Sequence, residues 1–95
     1  MFAPADGPAV YTSVTVGTSA VQLKVGASEQ EERVLISIQP LDDDLYLGYS
    51  NSVTTSIAAI KVFKGQYVEL ERGEFIQVWA ISPTAGNSVL VSEVS

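Results

Sequence analysis

A chain with no histidine and no cysteine lacks the usual general base near neutral pH, the commonest metal ligand and the thiol nucleophile. Carboxylates and hydroxyls remain. Glu69 and Glu71 stand two apart and share one face of a strand. That spacing could pair carboxylates for acid–base work, yet their alternation with Val68 and Leu70 reads more simply as a solvated face behind a packed one. Serine and threonine are plentiful, but neither a G-x-S-x-G elbow nor an S-x-x-K spacing occurs. Asp42-Asp43-Asp44 is the densest charge cluster. Three carboxylates in a loop could help hold Ca²⁺, but they lack the alternating D-x-D-x-D-G spacing that wraps a chain around the ion. A polar turn between two strands accounts for them, and their charge discourages wrong edge pairing. The expectation is a protein without catalytic residues, cofactor or metal.

Charge narrows the partners. Eleven acidic residues against 5 basic ones give a formal net charge of −6 over 95 residues. Lys24, Arg33, Lys61, Lys64 and Arg72 are scattered and form no basic stripe, so neither a nucleic-acid backbone nor an anionic membrane is expected as a partner. No apolar run approaches the roughly 18 residues of a membrane span. Met1 to Pro8 has neither a basic nor an apolar signal-peptide region. Without cysteine no disulfide staples the fold, which favours folding in a reducing cytoplasm. One domain of this size has a thin stability margin that association would widen.

The elements that must position these residues are read from a period of two. Val10, Thr12, Val14 and Val16 share a face in the run Ala9 to Val16, which Gly17-Thr18-Ser19 closes. Val21, Leu23 and Val25 alternate next, followed by a polar loop ending in Glu29-Gln30-Glu31-Glu32. Arg33 to Gln39 is the clearest strand, with Val34, Ile36 and Ile38 on one side; it is expected to stop at Pro40, which has no N–H for a ladder. Leu45 to Tyr49 and a short extended piece, Val53 to Ser56, come next. Ile60 to Phe63 and Tyr67 to Glu71 read as a hairpin around Lys64-Gly65-Gln66, with Gly65 supplying a positive φ. A second tight hairpin follows, in which Arg72-Gly73 links that strand to Phe75 to Ile81, and Val89 to Val94 closes the chain. Short connections and the absence of any helical period predict an all-β fold of eight or nine short antiparallel strands. That fold is a β-sandwich, jelly-roll-like, or a small barrel. Residues 1–8 form an extended N-terminal arm, and residues 9–95 the single domain.

Two segments depart from a simple sandwich. Phe75, Trp79 and Ile81 lie on one face of their strand and Ile76, Val78 and Ala80 on the other, so both faces ask to be buried. A two-layer sandwich covers one face. The second needs a loop, the N-terminal arm or another subunit, and Trp79 suits an interface core. In the arm, Pro4 and Pro8 hold the chain extended and Phe2 offers an apolar anchor. Phe2, Pro4, Phe75, Trp79 and Ile81 are therefore the candidate interface residues.

The runs VLISIQPLDDDLYLGYSNSVTTS and KGQYVELERGEFIQVWAISPTAGNSVLVSEV resemble small virion proteins of tailed bacteriophages. The resemblance rests on Ile36-Ser37-Ile38-Gln39, Tyr46-Leu47-Gly48, Val53-Thr54, the segment Gly65 to Leu70, Val78-Trp79-Ala80 and Val89 to Glu93, about two-thirds of the chain. One departure is that Ile57-Ala58-Ala59 stands where a glycine turn is expected. The resemblance implies a β-sandwich structural protein, made in the host bacterial cytoplasm, that decorates or cements the outer surface of the head. Its partners would be the major capsid protein and further copies of itself, with a homotrimer favoured. The alternative is a tail, fibre or baseplate β-domain that binds another virion protein or carbohydrate, with Tyr46, Tyr49 or Tyr67 stacking on sugar rings.

Overall fold

The computed structural model describes residues 9–26, 33–73 and 76–95. Within them, alternating residues sort into eight strands: β1 (Ala9–Val16), β2 (Val21–Gln22), β3 (Leu35–Pro40), β4 (Leu45–Gly48), β5 (Ile60–Val62), β6 (Val68–Leu70), β7 (Trp79–Ile81) and β8 (Asn87–Val94). They form two four-stranded antiparallel sheets packed together as a β-sandwich. The first has the order β1-β8-β3-β6 and the second β2-β7-β4-β5. Val16, Ile36, Ile38, Leu70, Val89 and Val91 from the first meet Leu23, Leu45, Leu47, Val62, Val78 and Ala80 from the second. Full burial of each large aliphatic side chain stabilises the fold by about 1.5–3 kcal/mol.

Strand β8 organises the packing. Its inward residues are Asn87, Val89, Val91 and Glu93, each at most 1% exposed. The two valines fill the middle, and the polar residues close the two ends. At one end the Asn87 carboxamide oxygen accepts the N–H groups of Asp42 (3.2 Å) and Asp43 (3.3 Å). Its nitrogen donates to the Asp43 carbonyl (2.9 Å) and the Ser82 hydroxyl (3.3 Å). At the other end Glu93 faces Arg33 at 2.9 Å, both side chains wholly buried. Arg33 also donates to the carbonyls of Arg72 (2.9 Å), Gly73 (2.8 Å) and Ile76 (2.6 Å), while Glu93 accepts the Val25 N–H at 2.8 Å. Two buried charges are tolerated because each is paired and hydrogen-bonded.

Several sequence expectations are corrected. Neither expected hairpin forms: β7 pairs with β2 and β4 instead of with β6, and Ile60–Val62 and Val68–Leu70 lie in different sheets, β5 pairing with β4 and β6 with β3. The connecting turn closes through Gln66 N–H to the Phe63 carbonyl (2.8 Å), with Gly65 at φ +80° in its third position. A positive φ there belongs to a type II turn, which splays the flanking strands instead of continuing a hairpin. The strand predicted to stop before Pro40 runs through it. Pro40 pairs with Val89 beyond the last pairing with β6, and its carbonyl accepts Gly65 N–H at 2.8 Å. Val53–Ser56 is loop, not strand. Where a glycine turn was expected, the Thr54 hydroxyl accepts the N–H of Ile57 (2.9 Å) and Thr54 N–H donates to the Ile57 carbonyl (2.9 Å). A side-chain turn thus does the work of a glycine. The Phe75–Ile81 strand is shorter than expected, and Ile76 is exposed instead of joining Val78 and Ala80 in the core. The Ile76 carbonyl accepts from the Arg33 guanidinium instead of joining a ladder.

Candidate functional site

The interface residues predicted from sequence divide in two. Phe2, Pro4 and Phe75 lie outside the described residues. Trp79 and Ile81 are half-buried on the outer face of the second sheet, because Val78 and Ala80 take the inner positions. Register places Trp79 between Gln22 and Gly48, and Ile81 beside Tyr46, which in turn faces Lys61. The Trp79 indole N–H donates to the Gln77 carboxamide at 2.9 Å, which satisfies its polar edge and leaves the ring as apolar surface. The Lys61 ammonium lies 5.4 Å from the Tyr46 ring centre and 4.8 Å from that of Phe63, with an Asp44 carboxylate oxygen at 3.7 Å. Part of this face is covered from within. Val53 folds over Gly48, so closely that a Cβ there would lie 2.8 Å from the valine Cβ.

The acidic turn is structural. Asp42 accepts Ser88 N–H (2.8 Å), Asp43 accepts Asp44 N–H (2.7 Å) and the Thr84 hydroxyl (2.8 Å), and Asp44 accepts Lys64 N–H (2.9 Å). The carboxylates thus diverge toward separate segments. The first two bonds to Asp43 hold its carboxyl below the ordinary aspartate value, the backbone bond contributing most. Glu69 and Glu71 are both exposed.

The three tyrosines considered for sugar stacking are not brought together. Tyr46 lies beneath Lys61, and Tyr49 engages Arg72, whose guanidinium donates to the phenol oxygen at 2.9 Å. Tyr67 stands on the opposite side of the molecule. There the outer face of the first sheet carries a groove of about 730 Å³ lined by Tyr11, Ser13, Ser37, Gln39, Tyr67, Leu90 and Ser92. Sequence reasoning did not single out Tyr11 or Leu90. The alternation that turns Val14 and Val16 inward does turn Tyr11 and Ser13 outward, but the groove exists only once β1, β8, β3 and β6 are neighbours. Comparison of the chain with protein families, curated proteins and solved structures finds no match.

Proposed function

We propose that this protein is a non-catalytic structural component of a tailed-phage virion that binds the outer surface of the head lattice and stabilises it, as a homotrimer. The observation that supports this reading is the outer face of the second sheet. Trp79, Ile81 and Tyr46 adjoin there outside the core, with Phe63 57% exposed beside them. A half-buried aromatic and aliphatic row on a sheet gains most when a second surface excludes water from it. The major capsid protein and neighbouring copies of this chain are the surfaces this role supplies. The resemblance to small phage virion proteins and the half-buried Trp79 face together support this reading.

The test is solution mass by light scattering, followed by co-sedimentation with undecorated heads of the phage whose genome carries this sequence. A trimer that saturates heads and raises their resistance to heat is expected. Trp79→Ser and Ile81→Lys should each lower head binding at least tenfold while the far-ultraviolet spectrum is retained; a tenfold loss corresponds to about 1.4 kcal/mol. A folded protein that ignores heads, or variants that bind as well as the parent, would overturn the reading.

A further inference from the structure

The groove on the first sheet lies opposite the Trp79 face and is independent of it. Its floor is built by register. Tyr11 on β1 pairs with Ser92, which pairs with Ser37; Ser13 pairs with Leu90, which pairs with Gln39. Tyr67 immediately precedes β6, at the far side of the sheet. Three strand spacings separate β1 from β6, about 14 Å. Tyr11 is 84% and Tyr67 56% exposed, so two phenol rings flank a floor of small hydroxyl side chains with Leu90 at its centre. Ser37 is only 6% exposed although it lines the groove. Gln39 is held in place by donating to the Gly65 carbonyl at 2.9 Å.

The chemistry of this lining selects among ligands. None of the lining residues is charged, in a chain of net charge −6. Among the described residues, register places the exposed carboxylate of Glu69 beside the floor, opposite Ser37. The lining thus offers an anionic ligand such as a phosphate, a sialylated sugar or a nucleic acid no counter-charge, and the Glu69 carboxylate beside it disfavours one. A peptide adding as a strand needs free backbone groups, and β8 and β3 at the centre of the floor are paired on both sides. What the groove offers is side-chain hydroxyls, an amide and two aromatic faces. We propose that it binds a neutral oligosaccharide, whose C–H faces pack on Tyr11 and Tyr67 and whose hydroxyls bond Ser13, Ser37, Ser92 and Gln39. The span between the tyrosines takes a short chain of sugars better than a single ring.

The experiment is a titration of the ¹⁵N-labelled protein with a panel of neutral gluco-, manno- and galacto-configured oligosaccharides, alongside sialylated counterparts. Saturable shifts at Tyr11, Ser37, Gln39, Tyr67, Leu90 and Ser92 with a neutral member of the panel are expected, and weaker binding of its sialylated counterpart. Tyr11→Ala and Tyr67→Ala should each weaken binding about tenfold, with unfolding temperature and head co-sedimentation unchanged because both rings are exposed and face away from Trp79. The proposal falls if no sugar in the panel binds, if shifts map to the Trp79 face, or if the tyrosine variants bind equally well. It falls also if these variants lower the solution mass, since a second copy of the chain would then occupy the groove. Loss of head binding by Trp79→Ser with sugar binding intact separates this site from the virion role.

Discussion

At the scale of single residues, the sequence shows which side chains are apolar but not which atoms will crowd. Gly48 reads as a strand glycine, and nothing in its neighbours along the chain explains it. The fold does: its face of β4 is where Val53 packs, and a methyl group there would meet the valine Cβ at 2.8 Å and Cγ2 at 3.0 Å. Both atoms sit close to a stiff β-branched backbone and cannot swing aside. Gly48→Ala is therefore expected to destabilise the protein by about 1–3 kcal/mol through overpacking. Val53→Gly removes the Cβ together with both methyls and so vacates the space, and the double variant should be less damaged than the two single losses added together. Urea midpoints of the four proteins measure this, and strict additivity would mean the two side chains do not compete. Asn87 carries a similar lesson. It looks like a turn residue beside Gly86, yet it is wholly buried and its amide organises the Asp42–Asp44 turn.

At the scale of elements, most strands were legible because one face of each is apolar and the other polar, and a period of two survives any choice of partner. Partner choice was not legible. The Ile60–Val62 and Val68–Leu70 strands are each amphipathic and separated by a short glycine turn, which is also how a hairpin reads. The difference lies in the turn type: the Phe63–Gln66 turn carries its positive φ at Gly65, and the chain crosses to the other sheet. A Cβ at Gly65 would meet nothing within 4 Å, so a substitution there costs backbone strain alone. Gly65→Ala is expected to lose about 1–2 kcal/mol, and Gly65→Asn less, because asparagine tolerates the left-handed region. Thermal unfolding of the two variants checks the order; equal loss would indicate a steric cause. The same limit hid the groove, since Tyr11 and Tyr67 meet only through a sheet whose order does not follow the chain.

At the scale of the whole molecule, the end of the sandwich opposite Asn87 is closed by one ion pair whose partners stand 60 residues apart. In sequence Arg33 is one of five scattered cations and Glu93 one acid in the last strand. In the fold Arg33 ties Glu93 to the carbonyls of residues 72, 73 and 76, and Glu93 ties β8 to Val25 beyond β2. The pair therefore couples both sheets, and its worth lies less in Coulomb attraction than in the cost of breaking it. Glu93→Gln leaves a buried guanidinium without its counter-charge, which is expected to cost about 3–5 kcal/mol. A domain of this size has about 5–15 kcal/mol in total, so that single change removes a large share of its stability. Replacing both partners with apolar residues, Arg33→Met with Glu93→Leu, removes the uncompensated charge and should recover much of the loss, though the carbonyls at residues 72, 73 and 76 lose their donor. Equilibrium urea unfolding of the parent, the single and the double variant decides it. A Glu93→Gln midpoint equal to the parent's would mean that water reaches the arginine and that this end of the sandwich is open. A double variant no better than the single would mean that the carbonyl bonds, not the charge pair, hold the end shut.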